Sequence, residues 1–222
     1  MTRVLYLYGG WPGHRPGEVA VWAREQFAAL GFEAVQTQDP RRLEEDLTGY
    51  DLIVVGWTSP VDAPEALTPA QEQRLLEAVE SGTGVAGWHG MASSFRASLP
   101  YQLVVGGAFL THPGDLGVTY DVTISDPGHE VTRGIEDFTV TTEQYYLQTD
   151  PANHVLATTT FGGEHLPWLE GVRMPVAWTR TWGRGRVFYC TIGHAPEDLR
   201  APAVTRLFRQ GLAWAVRQPV AP

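Results

Sequence analysis

The stretch "GVAGWHGMASSF", residues 84–95, reads as two elements in succession. "GVAGW" is a short apolar run of the kind an interior parallel strand uses, and "MASSF" reads as the opening of a helix. His89 stands at the sharp junction between them, with Trp88 before it and Gly90 after it. In many α/β enzymes that junction carries a nucleophile, usually Ser or Cys. An imidazole in this place directs attention to the other strand ends of the chain.

Working outward, the first half alternates strands and helices. "RVLYLY" (3–8), "FEAVQT" (32–37) and "DLIVVGW" (51–57) read as strands. Residues 18–30 place Val19, Trp22, Ala23, Phe27 and Leu30 on one helical face, closed by Gly31. Thr68-Pro69-Ala70-Gln71 forms a capping box with Pro at the first helical position, and Leu75, Leu76 and Val79 supply that helix's buried face. This β-α-β-β-α-β order predicts a mostly parallel sheet covered by helices, with its strand order left open. The second half is richer in strands: 118–124, 137–147, 154–160, 175–181 and 186–192, then a helix over 203–217. No linker or repeat interrupts the chain, so the expectation is one domain over 1–222 with a β-rich extension.

Composition narrows the function. The net charge is −9, and all 16 basic residues are Arg. No basic stripe is present, which argues against nucleic acid as a partner. Without Lys there is neither Schiff-base chemistry nor a P-loop lysine. Cys190 is the only cysteine and lies inside a predicted strand, where a thiol is usually an inert small hydrophobe, so thiol-based acyl transfer is not expected. "MTRVLYLYGG" has no signal-peptide pattern and no apolar run reaches about 20 residues. The expectation is a cytoplasmic protein without membrane attachment.

Open α/β sheets bind ligands beyond the carboxyl ends of their strands. Applied here, the rule selects His14 after the first strand, Trp57 and Thr58 after 51–57, His89 after 84–88 and His194 after 186–192. A second group lies in the extension: His112 in "THPGD", Glu143 and Tyr145 in "EQYYL", and His165 and Trp168 in "GEHLPW". Glu143 stands among neutral residues on a predicted strand, where an ionised carboxylate needs a histidine, an arginine or a metal as partner. Imidazoles with one carboxylate suit Zn, Ni, Mn or Fe(II) better than Mg or Ca, so a divalent metal is one option for the cofactor. No short-range motif such as H-E-x-x-H occurs. Trp11, Trp57, Trp88 and Trp168 neighbour these polar turns, and flat aromatic faces suit ring-shaped ligands such as sugars.

"GGWPGHRP", "GVAGWHG", "YQLVVGGAFLTHPG", "EQYYLQTDPANHVLATTTF", "GEHLPW" and "MPVAWTRTWGRGRVFYCTIGH" together resemble the ThuA-like (trehalose-utilisation) family over roughly residues 3–217. The resemblance implies a flavodoxin-like, class I glutamine amidotransferase-like three-layer sandwich. It sets His89 where an amidotransferase carries its thiol and His194 where its general-base histidine lies, with no amidotransferase activity. It implies an enzyme acting on a sugar or an oxidised 3-keto disaccharide, with His89, Glu143 and His194 as acid, base and carbonyl-orienting groups. Proton transfer, metal ligation and carbonyl polarisation are the uses open to the imidazole. His14, Trp57, Trp88, His112, Tyr145, His165 and Trp168 are then the expected substrate contacts. A non-catalytic sugar binder and a metal-dependent hydrolase of another small substrate are the alternatives. The apolar "YQLVVGGAFL" serves either the interior or a contact between identical copies.

Overall fold

Successive residues of the first strand divide between two faces. Val4 and Tyr6 join one apolar cluster, Leu5 and Leu7 the other, and the same alternation recurs at Leu52/Val54 against Ile53/Val55. A sheet buried on both faces must be covered by two helical layers, and the computed structural model has that three-layer arrangement. It describes residues 1–60, 62 and 65–218, so the last four residues of the expected domain, 219–222, lie outside the described residues.

The elements in chain order are β1 (Arg3–Gly10), α1 (Pro16–Ala29), β2 (Glu33–Thr37), β3 (Leu52–Thr58), α2 (Pro69–Glu80), β4 (Gly84–Trp88), α3 (Leu99–Val105) and β5 (Gly107–Thr111). They continue with β6 (Val118–Ile124), β7 (Phe138–Thr142), β8 (Tyr146–Thr149), β9 (His154–Thr160), β10 (Arg173–Trp182), β11 (Gly185–Cys190), α4 (Pro196–Arg200) and α5 (Pro202–Ala215). The nine-stranded sheet has the order β2-β1-β3-β4-β11-β10-β9-β6-β7. Its first five strands are parallel and the rest pair antiparallel, while β5 and β8 form a separate antiparallel pair.

On one face α1 and α5 bring Trp22 and Phe208 against Trp88. The Trp22–Trp88, Trp22–Phe208 and Trp88–Phe208 rings pack edge-on at 5.4, 5.6 and 5.7 Å. Such pairs contribute about 0.5–1.5 kcal/mol each beyond the burial of their area. On the other face α2 and α3 cover Ile53, Val85 and Val187. The capping box of α2 is formed as expected: Thr68 accepts from the Gln71 amide at 3.2 Å, and Gln71 accepts from the Thr68 amide at 2.8 Å. Among the described residues no helix is long and apolar enough to cross a membrane.

Three expectations change. The turn after β4 is a single 3-10 stretch, His89–Ser93, and the helix proper begins only at Leu99. The apolar "YQLVVGGAFL" becomes α3 and β5, with Tyr101, Val104 and Val105 in the core and Leu99, Leu103 and Leu110 exposed. The run 137–147 is not one strand. It ends as β7 at Thr142 and resumes as β8 at Tyr146 in a different sheet, which leaves Glu143, Gln144 and Tyr145 in the break between them.

Candidate active site

Four adjacent parallel strands, β1, β3, β4 and β11, present their carboxyl ends at one edge of the sheet. The chain passes from β1 to β2 on one side and then to β3 on the other, so the order reverses at β1, where such sheets form a crevice. After β1 the turn Pro12–His14 places the His14 Nδ1 2.8 Å from Thr58 Oγ1 at the end of β3. After β4, His89 takes a φ of +41°, a left-handed conformation that costs a non-glycine residue on the order of 1–3 kcal/mol. Its surroundings hold it there. The His89 Nδ1–H donates to the Thr191 carbonyl at 2.9 Å, and the Tyr189 hydroxyl donates to the His89 carbonyl at 2.8 Å. Gly90 is required beside it, because a Cβ at that position would collide with the Thr58 side chain. After β11, Gly193 at φ +126° turns the chain into His194, and a Cβ there would come within 2.8 Å of Leu199.

The extension supplies the carboxylate. Glu143 sits in the break after β7, which is pinned on both sides. The Tyr120 hydroxyl donates to the Glu143 carbonyl at 3.2 Å, and the Gln144 amide donates to Thr159 Oγ1 at 2.8 Å. The break lays Glu143 across the strand-end histidines. Its Oε2 is 3.2 Å from His89 Nε2, and its Oε1 is 3.1 Å from His194 Nδ1 and 3.8 Å from His112 Nε2. His14 Nε2 lies 3.2 Å from His89 Nε2, and the Tyr145 hydroxyl lies 2.9 Å from the same nitrogen.

The ionisation states follow from these surroundings. Burial pushes the Glu143 carboxyl up, but the imidazoles of His194 and His89 outweigh burial and hold it well below the usual carboxylate range. Burial, then the proximity of His89 and His194, pushes His14 down to about 2, so it is neutral. Burial and the Glu143 charge keep Tyr145 a neutral phenol. Cys190 is fully buried and pushed up to about 12 by that burial, so its thiol is not an available nucleophile.

Above the cluster opens a cavity of about 330 Å³. His14, His112, Glu143, Tyr145 and His194 line its polar side, and Trp11, Phe109 and Leu116 line its apolar side. Arg96 also faces it, with its guanidinium 5.0 Å above the Phe109 ring and its Nε donating to the Ser93 carbonyl at 3.1 Å. Among the described residues it has no carboxylate partner.

A model of the ThuA family, described as trehalose utilisation, matches residues 3–215. The chain belongs to the ThuA family. Solved structures agree on the fold. A ThuA-like protein of Parabacteroides merdae superposes with a TM-score of 0.79 at 18% identity, covering 99% of this chain and 92% of the other. A ThuA-like protein of Bacteroides uniformis gives 0.74 at 21%, covering 96% and 90%. A cytoplasmic protein of Salmonella typhimurium gives 0.66 at 13%, covering 98% and 100%. At these identities the likeness concerns the fold alone. A search of curated proteins finds none that matches.

Against this geometry, the residues expected from the sequence separate into groups. His14, His89, Glu143 and His194 converge in this ThuA chain, with Tyr145 upon them and His112 at the cavity rim. His89 is only 1% exposed, lies beneath Glu143 and Tyr145 and does not face the cavity. Trp57 and Trp88 are core residues. The Trp57 indole N–H donates to Glu65 at 2.8 Å, and the space behind His14 that both tryptophans touch is only about 10 Å³, too small for a sugar. His165 and Trp168 lie outside the cavity, and Trp168 is 63% exposed with its edge against Tyr146. These four lie near the polar turns in sequence, but their side chains do not turn into the cavity. The sequence gives no signal for Arg96 or Phe109: Arg96 lies in the irregular turn between Ser93 and Leu99, and Phe109 lies in β5, which is too short to give a clear period.

Proposed function

We propose that this ThuA-family chain is an enzyme of carbohydrate utilisation acting on a sugar or an oxidised 3-keto disaccharide related to trehalose. One observation carries the reading: an ionised, nearly buried carboxylate, Glu143, opens onto a cavity beside a neutral phenol, Tyr145, and an unpaired guanidinium, Arg96. A carboxylate base, a neutral acid and a cation are the groups needed to remove a proton next to a ketone. The apolar side formed by Trp11, Phe109 and Leu116 suits the C–H faces of a sugar ring.

In this reading Arg96 donates hydrogen bonds to the ketone oxygen. Glu143 takes the proton from the neighbouring carbon, and the electron pair of that C–H bond forms the enolate. In an elimination the glycosidic C–O bond then breaks, and the departing oxygen takes a proton from Tyr145. In an isomerisation Glu143 returns the proton to the former ketone carbon instead, while the hydroxyl proton of the neighbouring carbon passes to the former ketone oxygen. His89 and His194 keep Glu143 placed and ionised, and His14 packs against His89.

The test is deuterium exchange at the carbon next to the ketone, followed by NMR in D2O with 3-ketotrehalose, and with trehalose as control. Exchange with the ketone that falls by about 10²–10⁴ in Glu143→Gln supports the enzyme. Binding of either sugar without exchange or turnover identifies a sugar-binding protein instead. Neither binding nor exchange rejects the carbohydrate reading.

A further inference from the structure

We propose that His14, His89, Glu143 and His194 hold one first-row divalent metal ion. The proposal rests on the reading of this cluster as the working centre, and it does not depend on which sugar is used. Each residue offers one ligand atom, and the four atoms lie within 4.8 Å of one another. Three of the separations are 3.2, 3.2 and 3.1 Å: His14 Nε2 to His89 Nε2, His89 Nε2 to Glu143 Oε2, and Glu143 Oε1 to His194 Nδ1. Two atoms each about 2.0–2.1 Å from a shared ion stand about 2.8–3.4 Å apart at right-angle or tetrahedral geometry.

Accounting for the protons leads to the same conclusion. The Thr191 carbonyl can only accept, so His89 Nδ1 carries a hydrogen and Nε2 has a single position, lone pair or proton, with which to meet its neighbours. Three groups crowd that one position: His14 Nε2, the Tyr145 hydroxyl and Glu143 Oε2. An ionised carboxylate repels a lone pair, while a proton added at Nε2 reaches only one of the three neighbours. A cation shared by the ring nitrogens and the carboxylate satisfies His14, His89 and Glu143 together, and it leaves the Tyr145 proton for the cavity side.

His194 adds an independent observation. Its Nδ1 is buried and makes no hydrogen bond among the described residues, although Glu143 Oε1 is 3.1 Å away, because the nitrogen is aimed off the line to that oxygen. Its side chain is 9% exposed. The far nitrogens of the other two rings are also held, His89 Nδ1 on the Thr191 carbonyl and His14 Nδ1 on Thr58 Oγ1, which is the support that ligating imidazoles receive in metal sites. Among the described residues Glu143 has no arginine partner and faces only imidazoles, so a divalent cation among those rings would meet its charge directly. Three imidazole nitrogens and one carboxylate oxygen favour Zn(II), Mn(II), Fe(II) or Ni(II) over Mg(II) or Ca(II). Glu143 has lone pairs enough to ligate through one oxygen and accept a proton on the other, so the proposal is compatible with its role as base.

The experiment is elemental analysis of untagged protein purified without chelator. It is followed by titration of chelator-stripped protein with Zn(II), Mn(II), Fe(II), Ni(II) and Co(II), monitored by calorimetry and, for Co(II), by its visible absorption. The expected result is close to one equivalent of one ion, restored by add-back. His194→Gln and Glu143→Gln should weaken binding at least ten-fold, with unchanged circular dichroism. His194 lies at the cavity floor, so its variant stays informative if Glu143→Gln perturbs the fold. The proposal is overturned if none of the five ions binds, or if ions bind the wild type and both variants equally. An ion that binds as expected, with no exchange on any keto-sugar, upholds the metal site and rejects the keto-sugar reading. Exchange that persists in stripped protein able to bind none of the ions does the reverse.

Discussion

The two halves of the sheet contribute to the site in different ways. The parallel half supplies imidazoles through backbone topology: β1, β4 and β11 each end at the same edge, and the turn that follows each delivers one histidine. The antiparallel half supplies the carboxylate through an interruption, since Glu143 reaches the cluster only because β7 stops at Thr142 and the chain changes sheets before Tyr146. In the first half the strand ends dictate where functional groups go, and in the second a break in a strand does. The edge made by parallel strands therefore gains its carboxylate from outside the parallel frame.

The comparison is broken most sharply at the interruption. Glu143→Gln is expected to lower turnover by about 10²–10⁴ while the thermal midpoint stays within a few degrees of wild type, checked by steady-state kinetics beside calorimetry. An equal loss from any strand-end substitution with Glu143 intact would shift the weight to the parallel half. Next comes Trp88→Ala, which removes a ring 3% exposed from the core under β4. It should cost about 3–5 kcal/mol of stability in denaturant unfolding, the range for truncating a large buried aromatic. Arg96→Gln should lower kcat/KM about ten-fold for a ketone substrate and leave binding of the unoxidised sugar unaffected, which kinetics on the ketone beside calorimetric binding of the sugar would show. Thr68→Ala, in the capping box of α2 and distant from the cavity, should cost about 1 kcal/mol by urea titration and leave turnover unchanged. Trp168→Ala comes last, within about 0.5 kcal/mol and with no kinetic effect, because the ring is exposed and outside the cavity.

Trp88 and Trp168 also show what is legible in a sequence. Both neighbour polar turns, yet one is packed under the sheet and the other stands in solvent, and proximity along the chain cannot separate these outcomes. The strand ends are different. Short apolar runs closed by glycines at residues 9–10, 90 and 193 locate the carboxyl ends of β1, β4 and β11, and a general rule for open sheets then nominates His14, His89 and His194 from the sequence. The adjacency of those three ends requires the order β1-β3-β4-β11, which depends on long-range packing and was not readable. Glu143 stands out in the sequence for its isolation among neutral residues, but the strand predicted through it hides the break that aims it. Arg96 and Phe109 are hidden because Arg96 lies in an irregular turn with no period, between Ser93 and Leu99, and Phe109 lies in β5, whose five residues are too few to establish one.

The most direct test of the assembled site is proton exchange at the carbon beside the ketone, measured by NMR in D2O for wild type and Glu143→Gln, with binding of the same ketone followed by saturation transfer. The account predicts exchange in the wild type, and in the variant retained binding with exchange reduced at least a hundred-fold. Exchange at the wild-type rate in a variant that still binds the ketone would contradict it.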